Sequence, residues 1–315
     1  MSMRILITGA TGLVGTAITE LCHARGYQVN YLTTRKEKLS QDPAYRGFLW
    51  DPSRGAIDTE CFAGVHAVIN LAGASIAKRW TDSYKKTVLQ SRVDSLETLH
   101  KGMKDSGNKI PLMVTASAIG VYPSSFTTYY EEEEEGAVAN TFLGEVVAAW
   151  EKAADVFTAS GTRVAKVRIG LVLSADDGAL PQMVKPVQMY AGAAFGSGEQ
   201  WQSWIHIRDL AGIFMHLLEN EAEGVYNGVA PNPVTQNKLM QAIAKVVNKP
   251  LWLPNIPEWF IKMVLGEMSS VLLESQRVSS KKVEVEGYVF KYPNLMPALQ
   301  DILQEKGQLR EELAP

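Results

Sequence analysis

Apolar positions in the first part of the chain alternate between two periods. Ile5, Leu6 and Ile7 form an unbroken apolar run within Arg4 to Thr8, the mark of a buried strand, and Leu13, Val14, Ala17, Ile18, Leu21 and Cys22 then recur at helical spacing until Gly26. Gln28 to Thr33 returns to a strand pattern, Phe48 to Asp51 predicts a short third strand, and Ala67 to Gly73 a fourth. A long helix follows, with Thr81 as its cap and Tyr84, Val88, Val93, Leu96, Leu99 and Met103 as its buried face. Pro111 to Ala116 predicts a fifth strand, a helix begins near Asn140, and Arg163 to Ile169 predicts a sixth strand continuing through Leu173. Strands alternating with helices predict an α/β fold with a doubly wound parallel sheet.

The turn between the first strand and the first helix carries three glycines spaced three apart, Gly9-Ala10-Thr11-Gly12-Leu13-Val14-Gly15. Glycine permits the turn, lets backbone approach a pyrophosphate, and leaves the amides and positive dipole end of the helix facing an anion. Gly9, Thr11, Gly12, Leu13, Val14 and Gly15 are therefore the candidate cradle for a dinucleotide. A tight turn with no ligand is the bland alternative, disfavoured by the strand-helix-strand context. The second strand ends in Thr33-Thr34-Arg35-Lys36, with no acidic residue before Glu37. An acidic side chain there would accept the ribose hydroxyls of NAD, whereas a cation pairs with the 2'-phosphate of NADP. Thr34 and Arg35 thus point to NADP, against the reading of Arg35 as an ordinary surface charge.

Further candidates follow the strand ends. Asn70-Leu71-Ala72-Gly73 is small enough for backbone to lie against a cofactor. Arg92 interrupts the apolar face of the long helix, either as a surface ion pair with Asp94 or Glu97 or as a donor to cofactor phosphate. Ser117 follows the fifth strand, where its hydroxyl can polarise a substrate oxygen or satisfy local backbone. Val172 lies where the sixth strand should reach the nicotinamide side of the crevice.

Length and composition narrow the class. A chain of 315 residues with 46% hydrophobic content can bury one large core, or a main domain and a smaller one. Residues 1–175 are expected to form the NADP-binding domain, and 176–315 a mainly substrate-side, mixed C-terminal region that partly returns to it. The stretch Gly178 to Gly198, rich in Gly, Ala and Pro, opens that region. Within the cluster that follows, Gln200 and Trp204 are candidates to line a cavity, with core packing the alternative for Trp204; Asp209 is a candidate helix cap. His206 reads as structural, since no second His or Cys lies at metal spacing, and no metal is expected. The net charge of -3 and the lack of a basic cluster argue against nucleic acid. No signal peptide precedes the first strand, no apolar run is long enough to span a bilayer, and the two cysteines, Cys22 and Cys61, suggest no disulfide framework. A cytoplasmic protein is expected. The acidic run Glu131 to Glu135 reads as a solvated loop, with a mobile lid the alternative.

The glycine spacing and Asn-Leu-Ala-Gly resemble the extended short-chain dehydrogenase/reductase superfamily, as do the segment ending in Val121-Tyr122 and Ile205 to Leu210. Together with Ser203 to Ile207, Asn227 to Pro231, Leu272 to Arg277 and Gly287 to Leu295, they make the whole chain resemble one branch of it, a poorly characterised epimerase family. The resemblance implies an NAD(P)-binding Rossmann domain, a small-molecule substrate, and NADP contacts from Thr34, Arg35, Leu71, Ala72, Arg92 and Val172. It also implies a Ser117 hydroxyl bound to the reacting carbonyl or alcohol. The long helices after the fourth and fifth strands are where the superfamily often dimerises, which leaves a homodimer open. One departure matters most. The tyrosine and lysine four residues apart, whose stacking on one helix face lowers the phenol pKa for proton exchange, are replaced by Phe142 and Val146. Tyr122, Tyr129 and Tyr130 are the nearby phenols, none with a lysine at helical spacing. Two functions follow: an NADP(H)-dependent oxidoreductase or epimerase, or a catalytically reduced NADPH-binding regulatory protein. A pure interaction scaffold would leave the cradle and Arg35 unexplained.

Overall fold

The computed structural model describes residues 3–133 and 138–312, with side chains up to residue 303. The main sheet contains β1 (Arg4–Thr8), β2 (Gln28–Thr33), β3 (Tyr45–Asp51), β4 (Ala67–Asn70), β5 (Leu112–Ala118), β6 (Arg163–Ile169) and β7 (Gly224–Gly228). They lie in the order β3-β2-β1-β4-β5-β6-β7, a Rossmann-like arrangement in which the winding reverses between β1 and β4. Two short strands, Gln41–Asp42 and Ala56–Ile57, pair antiparallel with β3 and bring the sheet to nine strands. Ile5, Leu6 and Ile7 are buried because β1 is central, in parallel pairing with β2 on one side and β4 on the other.

Register brings the carboxyl ends of β1 and β4 level, while β2 runs on to Thr33 and β5 to Ala118. Thr8 of β1 faces Leu32 of β2 and Asn70 of β4, and Asn70 faces Thr115 of β5. The buried side chains of that row hold each other. Thr8 Oγ1 donates to Asn70 Oδ1 at 2.8 Å, and Asn70 Nδ2 donates to Thr115 Oγ1 at 3.0 Å. Thr8 Oγ1 in turn accepts the amides of Leu71 and Ala72, at 3.0 and 3.1 Å, and so fixes the loop that leaves β4.

The chain divides into two compact units. The first comprises Met1–Val121, Ala137–Arg168 and Ala211–Tyr226. Its helices α1 (Leu13–Ala24), α2 (Asp82–Asp105) and α3 (Phe142–Ala159) arise where the apolar spacing predicts them. Thr81 caps α2 by accepting the Tyr84 amide, and Thr141 caps α3 by accepting that of Gly144. Both cysteines are free and buried, and burial pushes the Cys22 thiol up to about 12.

The second unit comprises Tyr122–Gly136, Ile169–Leu210 and Asn227–Pro315. The sixth strand does not run on as expected. The chain turns at Gly170, where a Cβ would meet Ser203 O and the Val229 side chain, and Leu171–Leu173 pairs instead with Trp204–His206. The stretch from Gly178 contains α4 (Ala179–Gln188), driven by Leu180, Met183, Val184 and Val187 on one buried face. Pro181 sits in its first turn, where the missing amide would have had no intrahelical partner.

Helix α5 (Ile207–Glu219) starts two residues before Asp209, which therefore does not cap it. The Asp209 carboxylate instead accepts the amides of Lys291 and Tyr292, each at 2.8 Å. Trp204 packs in the core that α4 shares with α6 (Gln236–Val246) and residues near Leu299, its Nε1 donating to Asn232 O at 2.9 Å. Gln200 is buried too, its Nε2 bound to the carbonyls of Phe195 and Leu272. Neither lines an open surface. His206 is enclosed between Asp301, 3.2 Å from Nε2, and the Arg208 amide, which donates to Nδ1 at 3.0 Å; burial lowers its pKa.

Asn70→Leu should lower unfolding free energy by about 2 kcal/mol, because it strands the Thr8 hydroxyl and the Thr115 oxygen in a buried row. Urea denaturation measures it; an unchanged midpoint would mean the row is not what holds the strand ends.

Candidate functional site

The glycine turn is built by close packing within the first unit. Gly9 takes a φ of 69°, in the left-handed region, and a Cβ there would crowd Leu71 at 3.2 Å. At Gly15 a Cβ would collide with Gly9 O and lie 2.7 Å from Ala10 Cα, so only glycine lets α1 close against the turn. Helix α1 begins at Gly12 with no side-chain cap and no acidic residue in its first turn. Thr11 and Gly12 are exposed, and Leu13 and Val14 are half-buried behind them. A helix start without its own cap or counter-charge suits an anion.

Because β2 is level with β1, Thr34 and Arg35 emerge at the same edge, both exposed. Arg35 has no ion pair among the described residues. Lys38, which the sequence pattern did not single out, reaches over the turn and donates to Thr11 Oγ1 at 3.3 Å. Its signal was its place three residues after Arg35.

Arg92 resolves one of the open alternatives. It pairs with neither Asp94 nor Glu97; Nη1 donates to the carbonyls of Val88 and Ala74, at 2.8 and 3.2 Å, and the guanidinium lies 4.9 Å from the centre of the Trp150 ring. A Cβ on Gly73 would lie 3.1 Å from Cζ of Arg92, so the exposed Gly73 is the thin cover over this cation. Burial lowers the Arg92 pKa to about 10. No carboxylate answers the charge among the described residues. Leu71, Ala72 and Gly73 therefore form a loop with a half-buried cation beneath it that no carboxylate pairs among the described residues.

Ser117 lies near the end of β5 and is buried. Its hydroxyl donates to Glu151 Oε1 at 2.6 Å, and Glu151 is held in a fork by Arg168, whose Nε and Nη2 lie 2.8 and 2.9 Å from the two carboxylate oxygens. Burial pushes the Glu151 carboxyl up, but the Arg168 hydrogen bonds and charge, with the Ser117 bond, outweigh it and hold the pKa below the ordinary range. The Ser117 proton is thus committed, leaving lone pairs to accept a hydrogen bond from a ligand. The partners were missed because helix α3 and strand β6 bring together residues 17 apart in sequence.

At the position of the missing phenol, the Phe142 ring packs edge-on against Trp80, centre to centre 5.0 Å, with the Lys85 ammonium 5.4 Å from its centre. Val146 is buried. No proton donor replaces the pair there.

In the second unit, half-buried Val172 pairs with Ile205. Tyr122 is buried and donates to Asn227 Oδ1 at 2.9 Å, and its ring stacks on that of buried Tyr130, whereas Tyr129 is half-exposed. Of the acidic run, Glu132 is not simply solvated: its carboxylate accepts the Asn227 amide at 2.8 Å, and burial raises its pKa. Glu134 and Glu135 lie outside the described residues. Among the described residues no cluster of His, Cys, Asp and Glu could hold a metal ion, and no helix is long and apolar enough to cross a membrane.

Fold and cradle define a class, and comparison with known proteins agrees with it. Residues 5–229 match the NAD dependent epimerase/dehydratase family, and residues 256–302 match a domain of unknown function, DUF1731. The chain belongs to the NAD-dependent epimerase/dehydratase family, within the extended short-chain dehydrogenase/reductases. An epimerase family protein of Staphylococcus epidermidis is 38% identical over 304 residues, covering 96% of this chain and 99% of that one. The crystal structure of human epimerase family protein SDR39U1 (isoform2) with NADPH superposes with a TM-score of 0.83 at 32% identity, covering 96% of this chain and 99% of that one. The nucleoside-diphosphate sugar epimerase of Corynebacterium glutamicum gives a TM-score of 0.77 at 28% identity, covering 99% of this chain and 61% of that one.

Glu151→Gln should destabilise the protein by about 3 kcal/mol, since it leaves the Arg168 charge buried without its partner. The pH dependence gives a second test. Glu151 has a folded pKa below the ordinary 4.5, so its contribution is complete above that pH and is lost as pH falls through the folded value. Unfolding free energies from pH 7 to pH 3 should fall less steeply below pH 4.5 in the variant than in the parent.

Proposed function

We propose that this chain binds NADP(H) and works as an oxidoreductase or epimerase on a small molecule. The observation that carries the reading is Arg92, a half-buried guanidinium with no counter-anion among the described residues, under the loop Leu71-Ala72-Gly73. A charge so placed is costly unless an anion answers it, and a cofactor phosphate is the anion that the adjoining glycine turn suits. The NADPH in the human relative supports the same choice of cofactor. Arg35, with Thr34 beside it and Lys38 close to Thr11, would hold the 2'-phosphate. The uncapped start of α1 and the turn Gly9, Thr11, Gly12, Leu13, Val14 and Gly15 would hold the pyrophosphate, and Val172 would contact the nicotinamide side.

When bound, NADP(H) supplies hydride transfer at its nicotinamide. Ser117 is the proposed substrate contact. With its own proton given to Glu151, its oxygen orients a substrate hydroxyl by accepting from it, and Arg168 keeps Glu151 ionised so that this polarity does not reverse. A water molecule would then carry the proton that Phe142 and Val146 cannot exchange. A regulatory protein that reports NADPH to a partner is the second reading, favoured by the engaged Ser117 proton and the apolar packing of Phe142 against Trp80.

Quenching of the seven tryptophans on titration with NADPH and NADH tests the cofactor. NADPH should bind more tightly, Arg35→Asp should abolish the preference, and Arg92→Met should weaken both nucleotides by about tenfold or more. Equal binding of both nucleotides by parent and variants would remove the reading. NADP-dependent oxidation of an alcohol, lost in Ser117→Ala, would favour the enzyme; NADPH-dependent capture of a partner without turnover would favour the regulator.

A further inference from the structure

The second unit contains a cation that lies against two aromatic rings and has no carboxylate partner among the described residues. Arg277 lies in the short strand Arg277–Val278, which pairs in parallel with Tyr129–Tyr130 and sets Arg277 level with Tyr129. Its guanidinium carbon is 5.0 Å from the centre of the Tyr129 ring and 4.5 Å from that of Trp201, two cation–π contacts. Nε is buried with no hydrogen-bond partner, and no carboxylate pairs with the charge among the described residues. The side chain is only partly buried, and its terminal nitrogens are not enclosed.

Trp201 and the strand that carries Arg277 are fixed from behind. Trp201 Nε1 donates to Phe126 O at 3.0 Å and its amide to Ser275 Oγ at 3.1 Å, while Ser275 Oγ donates to Ser125 O at 2.8 Å. Ser203 Oγ donates to Gln276 O at 2.8 Å and accepts the Val278 amide at 2.9 Å, which pins the strand on either side of Arg277. A side chain needed only to pack against two rings would not carry a sealed, unpaired donor, since methionine packs so with no polar atom to strand. With Nε buried and the terminal nitrogens not enclosed, the end of the guanidinium is the part a ligand can reach. There its N–H groups form a flat fork that matches two oxygens of a carboxylate or phosphate.

We propose that Arg277, held against Tyr129 and Trp201, anchors the carboxylate or phosphate group of an anionic small molecule, the substrate of the activity proposed above, on which this assignment rests. Benzoate and phenyl phosphate serve as probes, titrated into the full chain with and without saturating NADPH and followed by calorimetry and tryptophan fluorescence. At least one probe should bind saturably. Arg277→Met should weaken it by about tenfold or more, and Arg277→Lys, which keeps the charge but loses the fork, should weaken it less but measurably. The stronger probe identifies the carboxylate or the phosphate as the group recognised. NADPH affinity should be the same in parent and variants.

The proposal fails if neither probe binds saturably, if Arg277→Met binds them like the parent, or if NADPH displaces them, which would put the anion in the glycine cradle. If Arg277→Met does not fold, Arg277→Lys at an unchanged melting temperature decides the matter alone. Should NADPH fail to bind any of the proteins, the cofactor reading falls, while the Arg277-dependent difference measured without NADPH still judges the anion site.

Discussion

Three neighbouring strands that must keep one register are the constraint on which the rest of the first unit depends. The row Thr8, Asn70 and Thr115 meets it with side-chain hydrogen bonds, running across the strands where backbone pairing ends. Asn70 suits the middle of the row because its amide offers an acceptor on one side and a donor on the other. By accepting the amides of Leu71 and Ala72, Thr8 carries the same order into the loop that covers Arg92. The glycine turn leaves β1 directly after Thr8, so cradle and loop share one anchor. A slip of one residue between β1 and β4 would break the Thr8–Asn70 bond and move Thr8 away from the Leu71 and Ala72 amides.

Two half-buried arginines in this unit are treated in opposite ways. Arg168 is neutralised by a carboxylate fork that also takes the Ser117 proton. Arg92 receives only carbonyl oxygens and the face of Trp150. Both are desolvated, so the difference lies in what the fold supplies as counter-charge. Arg168 completes an internal network, and Arg92 leaves one incomplete.

Elements set by local rules are legible in the sequence. The cap at Thr81, the buried run Ile5 to Ile7 and the need for glycine at position 15 all follow from residues within a few positions of each other. Pairings between distant segments are not. The Glu151 and Arg168 fork depends on how helix α3 lies against strand β6, and the stack on Arg277 joins segments more than seventy residues apart. Arg92 is intermediate: its pattern raises the question of a partner, and only the packed structure shows that Asp94 and Glu97 do not answer it. Helix α4 is hidden by glycine and proline, whose local preferences its apolar face overrides.

Asp209 bears on how the chain reaches this state during synthesis. Its buried carboxylate is satisfied by the amides of Lys291 and Tyr292 and by the Tyr288 hydroxyl, about eighty residues later. A ribosome makes the start of α5 well before it makes these partners. Until they emerge, that first turn must keep its charge in water, so the DUF1731 segment supplies the last piece of an element begun long before it and is not an appendage that can fold or be removed by itself.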